Sequence, residues 1–326
     1  MAVMSLIEAI NATLVQEMNR DQRVLVLGED VAVNGGVFRA TDGLLTKFGE
    51  HRVFDTPLSE TAIIGSSIGL AMNGFIPVPE IQFLGFTLEA YHQIVGQMSR
   101  IRFRSQGRFS CPVTVRAPFG AGVRSPELHS DAIEAMYAHC AGLKVVTPAT
   151  AADAKGLLTA AIRDPDPVLF LEPIRGYRSI KDEVPDGEHV VPLGQARMAR
   201  QGDDVVVIAW SYMVHVALRA AERVAAEDGA SVGVLDLRCV SPLDVEAIAN
   251  AVAATGRAVV VHEASKTGGF GAEVIATIQD EVFFDLLAPV ARVTGWDSPI
   301  PQGAREDHYI PNEDRVVAAI RRTLAA

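Results

Sequence analysis

The sequence predicts an α/β protein built from two doubly wound domains. The chain has 326 residues, which is enough for two ordinary domains that each bury a core. Short apolar segments alternate with helical segments, a pattern that favours parallel sheets covered on both faces by helices. Around residues 179–195 this alternation fails, and a polar segment with Pro and Gly replaces it. We therefore expect a first domain over residues 1–180, a linker over 181–195 and a second domain over 196–326.

The first element is predicted to be an amphipathic helix. Ser5 and Glu8 have the spacing of a capping box, and apolar residues continue on one face from Leu6 to Met18. Strands are then expected at 24–27, 52–55, 79–83, 113–117, 144–147 and 168–172. The helices between them are expected near 62–72, 88–104, 131–139 and 151–163.

The second domain repeats the alternation of strands and helices. Its strands are predicted at 205–209, 232–236, 258–261 and 291–294, with helices between them. The clearest of these helices cover 244–252 and 313–324. No repeat of solenoid period is present in the sequence.

Composition narrows the functional classes. A hydrophobic content of 49% with 21% charged residues is typical of a globular protein. The net charge of −11 argues against a surface for nucleic acid or anionic membranes. The one basic cluster, RIRFR at 100–104, is expected to be the exposed, interface-facing end of a helix.

The cysteines and the start of the chain indicate a cytoplasmic protein of bacterial type. Cys111, Cys140 and Cys239 are odd in number and widely separated, which fits a reducing compartment and no zinc site. The sequence begins without a basic leader, and no apolar run approaches the roughly 20 residues that span a bilayer.

Glu60 occupies a position with two possible roles. It ends the run DTPLSE at 55–60, where a strand stops at Pro57 and Ser59 is placed to cap the following helix through its side chain. An acidic residue in the first turn complements the helix dipole. The same position would also place a carboxyl group at the end of a strand, facing a cleft.

Further motifs surround this run in a fixed order. They are GEDV at 28–31, GGVF at 35–38, EIQF at 80–83 and PELHSD at 126–131. Together they resemble the β subunit of the thiamine-diphosphate-dependent E1 component of 2-oxo acid dehydrogenase complexes, over nearly the whole chain. The bacterial pyruvate dehydrogenase branch is the most similar. The resemblance implies a transketolase-like pyrimidine-binding domain followed by a transketolase C-terminal-like domain for dimerisation and E2 docking.

The resemblance assigns four residues to the cofactor. Glu60 would hold N1′ of the aminopyrimidine ring of thiamine diphosphate, where a partly desolvated carboxyl group can manage a proton. Leu58 would contact the same ring through its backbone. Gln82 and Phe86 would face the ring, with Phe86 stacking on it, although a plain core or interface role explains Phe86 equally well.

The other half of such a cofactor site is missing from the sequence. Mg²⁺ and the diphosphate usually require Gly-Asp-Gly followed by a later Asn, and a carboxylate with phosphate oxygens suits Mg²⁺. The nearest candidate, GDD at 202–204, lacks the second Gly and precedes a strand, so we interpret it as a turn. The resemblance implies that an E1 α subunit holds Mg²⁺ and the diphosphate in an α2β2 heterotetramer.

His129 lies in a loop with Gly and Pro that leads into a helix. A single loop histidine is ordinarily solvated or part of a cap. The match to PELHSD implies instead that His129 lines the mouth of the active site and assists acyl transfer to the lipoyl-lysine of E2. Leu128 stands where some relatives carry a second histidine.

Two further assignments follow from the resemblance. A K⁺ ion would be bound by oxygens of Val113, Ala161, Ile162, Asp164 and Asp166. A helix stop with an Asp/Pro turn explains the segment 161–167 equally well. Glu29 and Glu89 match an acidic tunnel between active sites, but His92 stands where a further acid is expected, so solvated or salt-bridged carboxylates are favoured.

Other functional classes have weaker support. TGGFG at 267–271 follows a strand and opens a helix, but it lacks the Gly-x-Gly-x-x-Gly register of an NAD site, so we assign it to tight packing or an interface. A non-catalytic scaffold would lack Glu60 and His129. The expected function is oxidative decarboxylation of a 2-oxo acid, with pyruvate favoured by residues 126–131. Residues 262–264 and 267–270 are more similar to branched-chain or acetoin relatives.

Overall fold

A computed structural model describes residues 2–326, which form two mixed sheets flanked by helices and one small two-stranded sheet. The strands are β1 (Ala2–Ser5), β2 (Val24–Gly28), β3 (Val53–Asp55), β4 (Ile76–Glu80), β5 (Thr114–Phe119), β6 (Lys144–Val146), β7 (Val168–Pro173), β8 (Lys181–Val184), β9 (Arg197–Arg200), β10 (Val205–Ala209), β11 (Val232–Asp236), β12 (Cys239–Ser241), β13 (Ala258–Ser265) and β14 (Ala291–Gly295). The α-helices are α1 (Leu6–Arg20), α2 (Leu44–Phe48), α3 (Glu60–Met72), α4 (Ile101–Arg104), α5 (Glu134–Ala138), α6 (Ala151–Arg163), α7 (Met213–Asp228), α8 (Val245–Thr255), α9 (Gly271–Val282), α10 (Glu306–Tyr309) and α11 (Glu313–Leu324).

The first sheet has the strand order β12-β6-β7-β5-β4-β2-β3 and is parallel except for β12. Strands β2, β4, β5 and β7 are buried along their whole length. Complete burial explains why their sequences are largely apolar rather than alternating, apart from the charged residues Glu80, Arg116 and Glu172. The predicted α/β class is confirmed.

The second sheet has the order β14-β13-β10-β11-β9 and is parallel except for its edge strand β9. Strands β10 and β11 are valine-rich and fully buried, and α7 and α11 pack together against this sheet. This unit is also a parallel sheet covered by helices, as the sequence predicts.

The amino-terminal helix begins as predicted. The backbone N–H of Ser5 donates to Glu8 Oε2 at 2.7 Å, and the N–H of Glu8 donates back to Ser5 Oγ at 3.4 Å. The apolar face of α1 is buried and packs against α6. Glu17, which is also buried on α1, pairs with Arg163 of α6 at 2.8 Å.

Several local predictions are wrong. The single helix expected over 88–104 is a 3₁₀ segment (Leu84–Ala90), a π-helical segment (His92–Gln97), a 3₁₀ turn (Met98–Arg100) and the short α4. Gly96 lies within the irregular part, against the ring of His92, and glycine weakens a regular helix. The helix expected over 131–139 is only the five residues of α5.

Strand ends and caps also differ from the prediction. Strand β4 runs from Ile76 to Glu80, whereas the strand was predicted at 79–83. The chain enters the sheet before Pro77 and Pro79 rather than at the second of these prolines. Ser59 is the N-cap residue of α3, but its side chain makes no capping hydrogen bond. Polar residues and prolines were therefore imperfect markers of where these elements begin.

The segment predicted as a linker is partly ordered as a strand. Residues of β8 pair antiparallel with β1, from Ala2 opposite Val184 to Ser5 opposite Lys181. Strand β12, far beyond this segment, joins the edge of the first sheet. The domain limits at 180 and 196 stay a prediction. Within residues 2–326, no helix combines the length and apolar character needed to cross a membrane.

Candidate active site

The predicted site residues lie at the carboxyl ends of four neighbouring parallel strands. Glu60 follows β3, Gln82 and Phe86 follow β4, and His129 follows β5, while the chain leaving β2 adds Glu29. Ligands of open α/β sheets bind at this edge. The fold therefore places the five side chains at one end of one sheet.

Carboxyl groups form the floor of this site. Gln82 Nε2 lies 3.5 Å from Asp30 Oδ2. Desolvation, followed by the charges of Asp30 and Glu60, raises the pKa of the Glu29 carboxyl group. Glu60 is partly exposed, and its carboxylate has no hydrogen bond or ion pair with any of the residues that the structure describes. This carboxyl group remains open to a ligand.

The first residue of the DTPLSE run has a role that the sequence analysis missed. Asp55 Oδ1 accepts the N–H of Ala32 at 2.7 Å, and Oδ2 accepts that of Val33 at 3.2 Å. These bonds tie the loop after β2 to the end of β3. Leu58, in the same run, is 73% exposed.

Aromatic rings surround His129. The ring centroids of Phe83 and Phe86 lie 4.5 and 4.9 Å from that of the imidazole. His129 Nδ1 is 2.9 Å from the carbonyl oxygen of Glu127. Because a carbonyl can only accept, Nδ1 carries the proton, and Nε2 of the neutral ring is left as an acceptor.

A buried ion cluster fixes the strands beneath this edge, and the sequence analysis missed it. Arg116 on β5 contacts Glu80 on β4 at 2.8 Å and Glu172 on β7 at 2.6 Å. Tyr177 donates its hydroxyl proton to Glu172 at 2.5 Å. Burial alone would lower the pKa of Arg116, but the two carboxylates raise it, so the guanidinium stays charged. Charged residues within otherwise apolar strands were the available signal.

Four of the five predicted K⁺ ligands have protein partners in this structure. The carbonyl oxygen of Val113 accepts the N–H of Val168, and that of Ala161 accepts the N–H of Asp164. Lys144 Nζ lies 2.8 Å from Asp164 Oδ1. The remaining members of the predicted set are Ile162 and Asp166, and the Asp166 carboxylate pairs with Arg102 at 2.5 Å. An ammonium group already neutralises Asp164, and K⁺ binding stays a prediction.

The two candidate loops of the second domain have structural roles. Segment 202–204 connects β9 to β10, and the Asp204 carboxylate accepts the N–H of Ser231 at 2.6 Å. In the TGGFG loop, a Cβ on Gly269 or Gly271 would lie 2.6 Å from the His262 ring. The prediction of a turn and the prediction of tight packing agree with these contacts.

The remaining predicted features lie outside this site, and most of them are on the surface. Glu89 and His92 are exposed, and the hydroxyl of Thr61 donates to the carbonyl oxygen of Glu89. The acidic tunnel between active sites stays a prediction. Phe103, in the basic cluster at 100–104, is 90% exposed, which confirms that the cluster is at the surface. Cys111, Cys140 and Cys239 are free and buried.

Comparisons with known proteins agree with this geometry. Residues 2–179 match the family described as transketolase, pyrimidine binding domain, and residues 194–316 match transketolase, C-terminal domain. The chain is 51% identical over 324 residues to the pyruvate dehydrogenase E1 component subunit beta of Bacillus subtilis, and 48% identical to that of Staphylococcus aureus. Each alignment covers 99% of this chain and 99% of the relative.

A solved structure shares the fold. It is described as a split gene transketolase in an inactive beta4 tetramer, and it superposes with a TM-score of 0.81 over 99% of both chains at 24% identity. At this identity the similarity concerns the architecture.

Proposed function

Because the chain belongs to the family of pyruvate dehydrogenase E1 component β subunits, we propose that it holds the aminopyrimidine ring of thiamine diphosphate within an α2β2 enzyme. That enzyme would decarboxylate pyruvate oxidatively and acylate the lipoyl-lysine of E2. The observation that carries this proposal is the convergence of Glu60, Gln82, Phe86 and His129 at the carboxyl ends of parallel strands of one sheet.

The residues present fit an aminopyrimidine ring. Glu60 offers a carboxyl group that no described residue hydrogen-bonds, and beside it burial, followed by the charges of Asp30 and Glu60, raises the pKa of Glu29. Phe86 offers an aromatic surface, and the exposed Leu58 offers backbone atoms. Gln82 adds an amide whose partner is Asp30.

The chemistry divides between cofactor and protein. When bound, thiamine diphosphate supplies the nucleophilic carbon and the electron sink for decarboxylation of a 2-oxo acid. Glu60 would hold a proton at N1′ of the ring, and Phe86 would orient the ring. A positioned acid–base group of this kind contributes about 10²–10⁴-fold to a rate.

A second subunit is needed to complete the site. The nearest sequence candidate for a Mg²⁺–diphosphate motif, at 202–204, lies between β9 and β10 of the second sheet, where the Asp203 carboxylate accepts the hydroxyl of Ser231 at 3.4 Å. We therefore assign Mg²⁺ and the diphosphate to an E1 α subunit, so that this chain is active only in the heterotetramer.

His129 is proposed to act in the second half-reaction. In the neutral imidazole the proton is on Nδ1 and points at the carbonyl oxygen of Glu127, so Nε2 is free. When Nε2 also takes up a proton, the resulting imidazolium is an acid. An imidazolium can deliver that proton to a dithiolane sulfur as the S–S bond of the lipoyl group opens. The second domain is proposed to mediate dimerisation and E2 docking.

Reconstitution with the cognate α subunit tests the proposal. The pair should decarboxylate pyruvate and acetylate a lipoyl domain, and it should prefer pyruvate to a branched-chain 2-oxo acid. Calorimetry should detect no binding of thiamine diphosphate to the isolated β chain. Preference for the branched-chain substrate would reassign the substrate, whereas micromolar cofactor binding by isolated β would refute the divided site.

A further inference from the structure

The loop that carries His129 is attached to the second domain by two carboxylates. We call residues 120–131 the His129 loop. Glu306, on α10, accepts the N–H of Gly122 at 2.6 Å and that of Arg124 at 3.4 Å through Oε1. Its other oxygen, Oε2, accepts the hydroxyl of Ser130 at 3.1 Å. One side chain therefore bonds both arms of the loop, before and after His129.

Glu263 makes a neighbouring attachment. Its Oε2 accepts the N–H of Ala121 at 2.9 Å, next to Gly120, which has a positive φ of 79°. A Cβ at Gly120 would lie 2.7 Å from the same oxygen, so only glycine allows the loop to approach this closely. The base of the loop closes through the N–H of Gly120 and the carbonyl of Asp131 at 3.2 Å.

The loop needs such attachments because its backbone is strained. Arg124 and Leu128 have positive φ values of 55° and 69°. Non-glycine residues persist in this region only where surrounding contacts determine it. The bond from the N–H of Arg124 to Glu306 is one such contact, because it is made by the backbone of a residue with positive φ.

Side-chain packing contributes little to the contact between the His129 loop and residues 299–301 of the second domain. A cleft of about 230 Å³ separates residues 125–131 of the loop from Pro299, Ile300 and Pro301 of the second domain. Glu306, by contrast, is only 1% exposed. Hydrogen bonds to a buried carboxylate, rather than apolar contact, attach this part of the loop to the second domain, while His129 itself packs against Phe83 and Phe86 of the first sheet's edge.

We propose that Glu306 is the positioning residue for His129. A carboxylate can accept from both arms of the loop at once, and bonds to a charged acceptor are stronger than neutral ones. An amide in its place has one acceptor oxygen and a donor group that would face the donors of the loop. This inference rests on the proposed role of His129 in acyl transfer, and it adds that the second domain sets where that imidazole stands.

The test compares Glu306→Gln with wild type in the α2β2 enzyme. Hydrogen exchange of the amides of Gly122 and Arg124, measured without cofactor, should accelerate roughly tenfold, as expected for loss of a charge-assisted hydrogen bond. Acetylation of a lipoyl domain should fall by a similar factor in kcat, while decarboxylation with an artificial electron acceptor stays close to wild type. Asp314→Asn is the control, because that carboxylate belongs to the same domain but pairs with Arg223.

The double variant His129→Ala/Glu306→Gln separates this inference from the proposed function. If Glu306 acts through His129, the double variant should acetylate no more slowly than His129→Ala alone. Additive losses would overturn the positioning role, and so would unchanged exchange in the loop. Equal losses of both half-reactions in His129→Ala would instead refute the role of His129, and the exchange data would still decide the attachment.

Ser130→Ala provides a second variant in case Glu306→Gln does not fold. It removes a single bond to Glu306 Oε2 from the loop side and leaves the carboxylate in place. It should shift loop exchange and acetylation in the same direction by a smaller factor. No change in either quantity would overturn the inference.

Discussion

The floor of the candidate site and the His129 loop are built in different ways. The floor residues Glu60 and Gln82 lie shortly beyond the ends of β3 and β4 of the first sheet, and Asp55 fixes the neighbouring loop from within the same sheet. The His129 loop is fixed by Glu263 and Glu306, which lie 142 and 184 positions from the residues they bind. The floor is thus a product of one sheet, whereas the loop depends on contact between two parts of the chain.

This difference suggests a division of function. A rigid floor suits the part of a site that holds a ring and its proton in fixed geometry. A loop tied by a few hydrogen bonds can be altered without disturbing the sheet below it. Changes in the floor should therefore stop all turnover, while changes in the loop should affect one step.

The largest expected effect is at Glu60. Glu60→Gln keeps the size of the side chain but cannot deliver a proton, so turnover of pyruvate by the α2β2 enzyme should fall by roughly 10²–10⁴-fold. Steady-state kinetics with an artificial electron acceptor measures the loss. A fall of the same size in Glu89→Gln, whose side chain is exposed, would show that the effect is not specific to the floor.

The next effect concerns the support of the floor. Arg116→Met would leave Glu80 and Glu172 as uncompensated buried carboxylates, which is expected to cost about 3–5 kcal/mol. The assembled enzyme should show a clear drop in thermal midpoint. Arg102→Met removes an exposed partner of Asp166, and it should change the free energy of unfolding by no more than about 1 kcal/mol. Equal midpoints for the two variants would contradict the role of the buried cluster.

A smaller effect should distinguish the loop by its pH dependence. Burial, followed by the charge of Glu134, raises the pKa of Glu263 from 4.5 to about 7, against the opposing bond from Ala121. The folded state thus binds the proton more tightly than the unfolded state, so this contribution to stability is complete below pH 4.5 and is lost as pH rises to about 7.

Glu263→Gln removes that titration. Between pH 5 and pH 8 the variant should lose less stability than wild type, by a difference on the order of 1–3 kcal/mol. Thermal midpoints across this range measure the difference. Parallel profiles for wild type and variant would show that Glu263 does not titrate in the folded protein.

The sequence predicted the floor better than the loop for a physical reason. Glu60, Gln82 and Phe86 stand in or beside short contiguous motifs next to predicted strands, and the family resemblance that those motifs carry assigns them to one site. The role of Glu306 could not be predicted, because nothing near it in the sequence indicates that its partners are Gly122 and Ser130. Contacts of this kind arise only when both sheets are in place.

The fold shows the same limit. The apolar strands of both sheets and the capping box at Ser5 were predicted, because burial and capping leave local signals. The regular helix expected over 88–104 was wrong. A 3₁₀ segment begins earlier, at Leu84, and its Gly85 packs against the backbone of Leu128, a contact from another segment. Strand β8 was missed because its partner, β1, is at the other end of the first domain.

Exchange of the C2 hydrogen of bound thiamine diphosphate tests the division between floor and loop most directly. The measurement compares wild type, Glu60→Gln and His129→Ala in the assembled enzyme by quenched-flow in deuterated water. We predict that Glu60→Gln slows the exchange by roughly 10²–10⁴-fold, whereas His129→Ala leaves the exchange rate unchanged and impairs only acetylation of the lipoyl domain. An unchanged rate in Glu60→Gln, or an equally slowed rate in His129→Ala, would contradict the account.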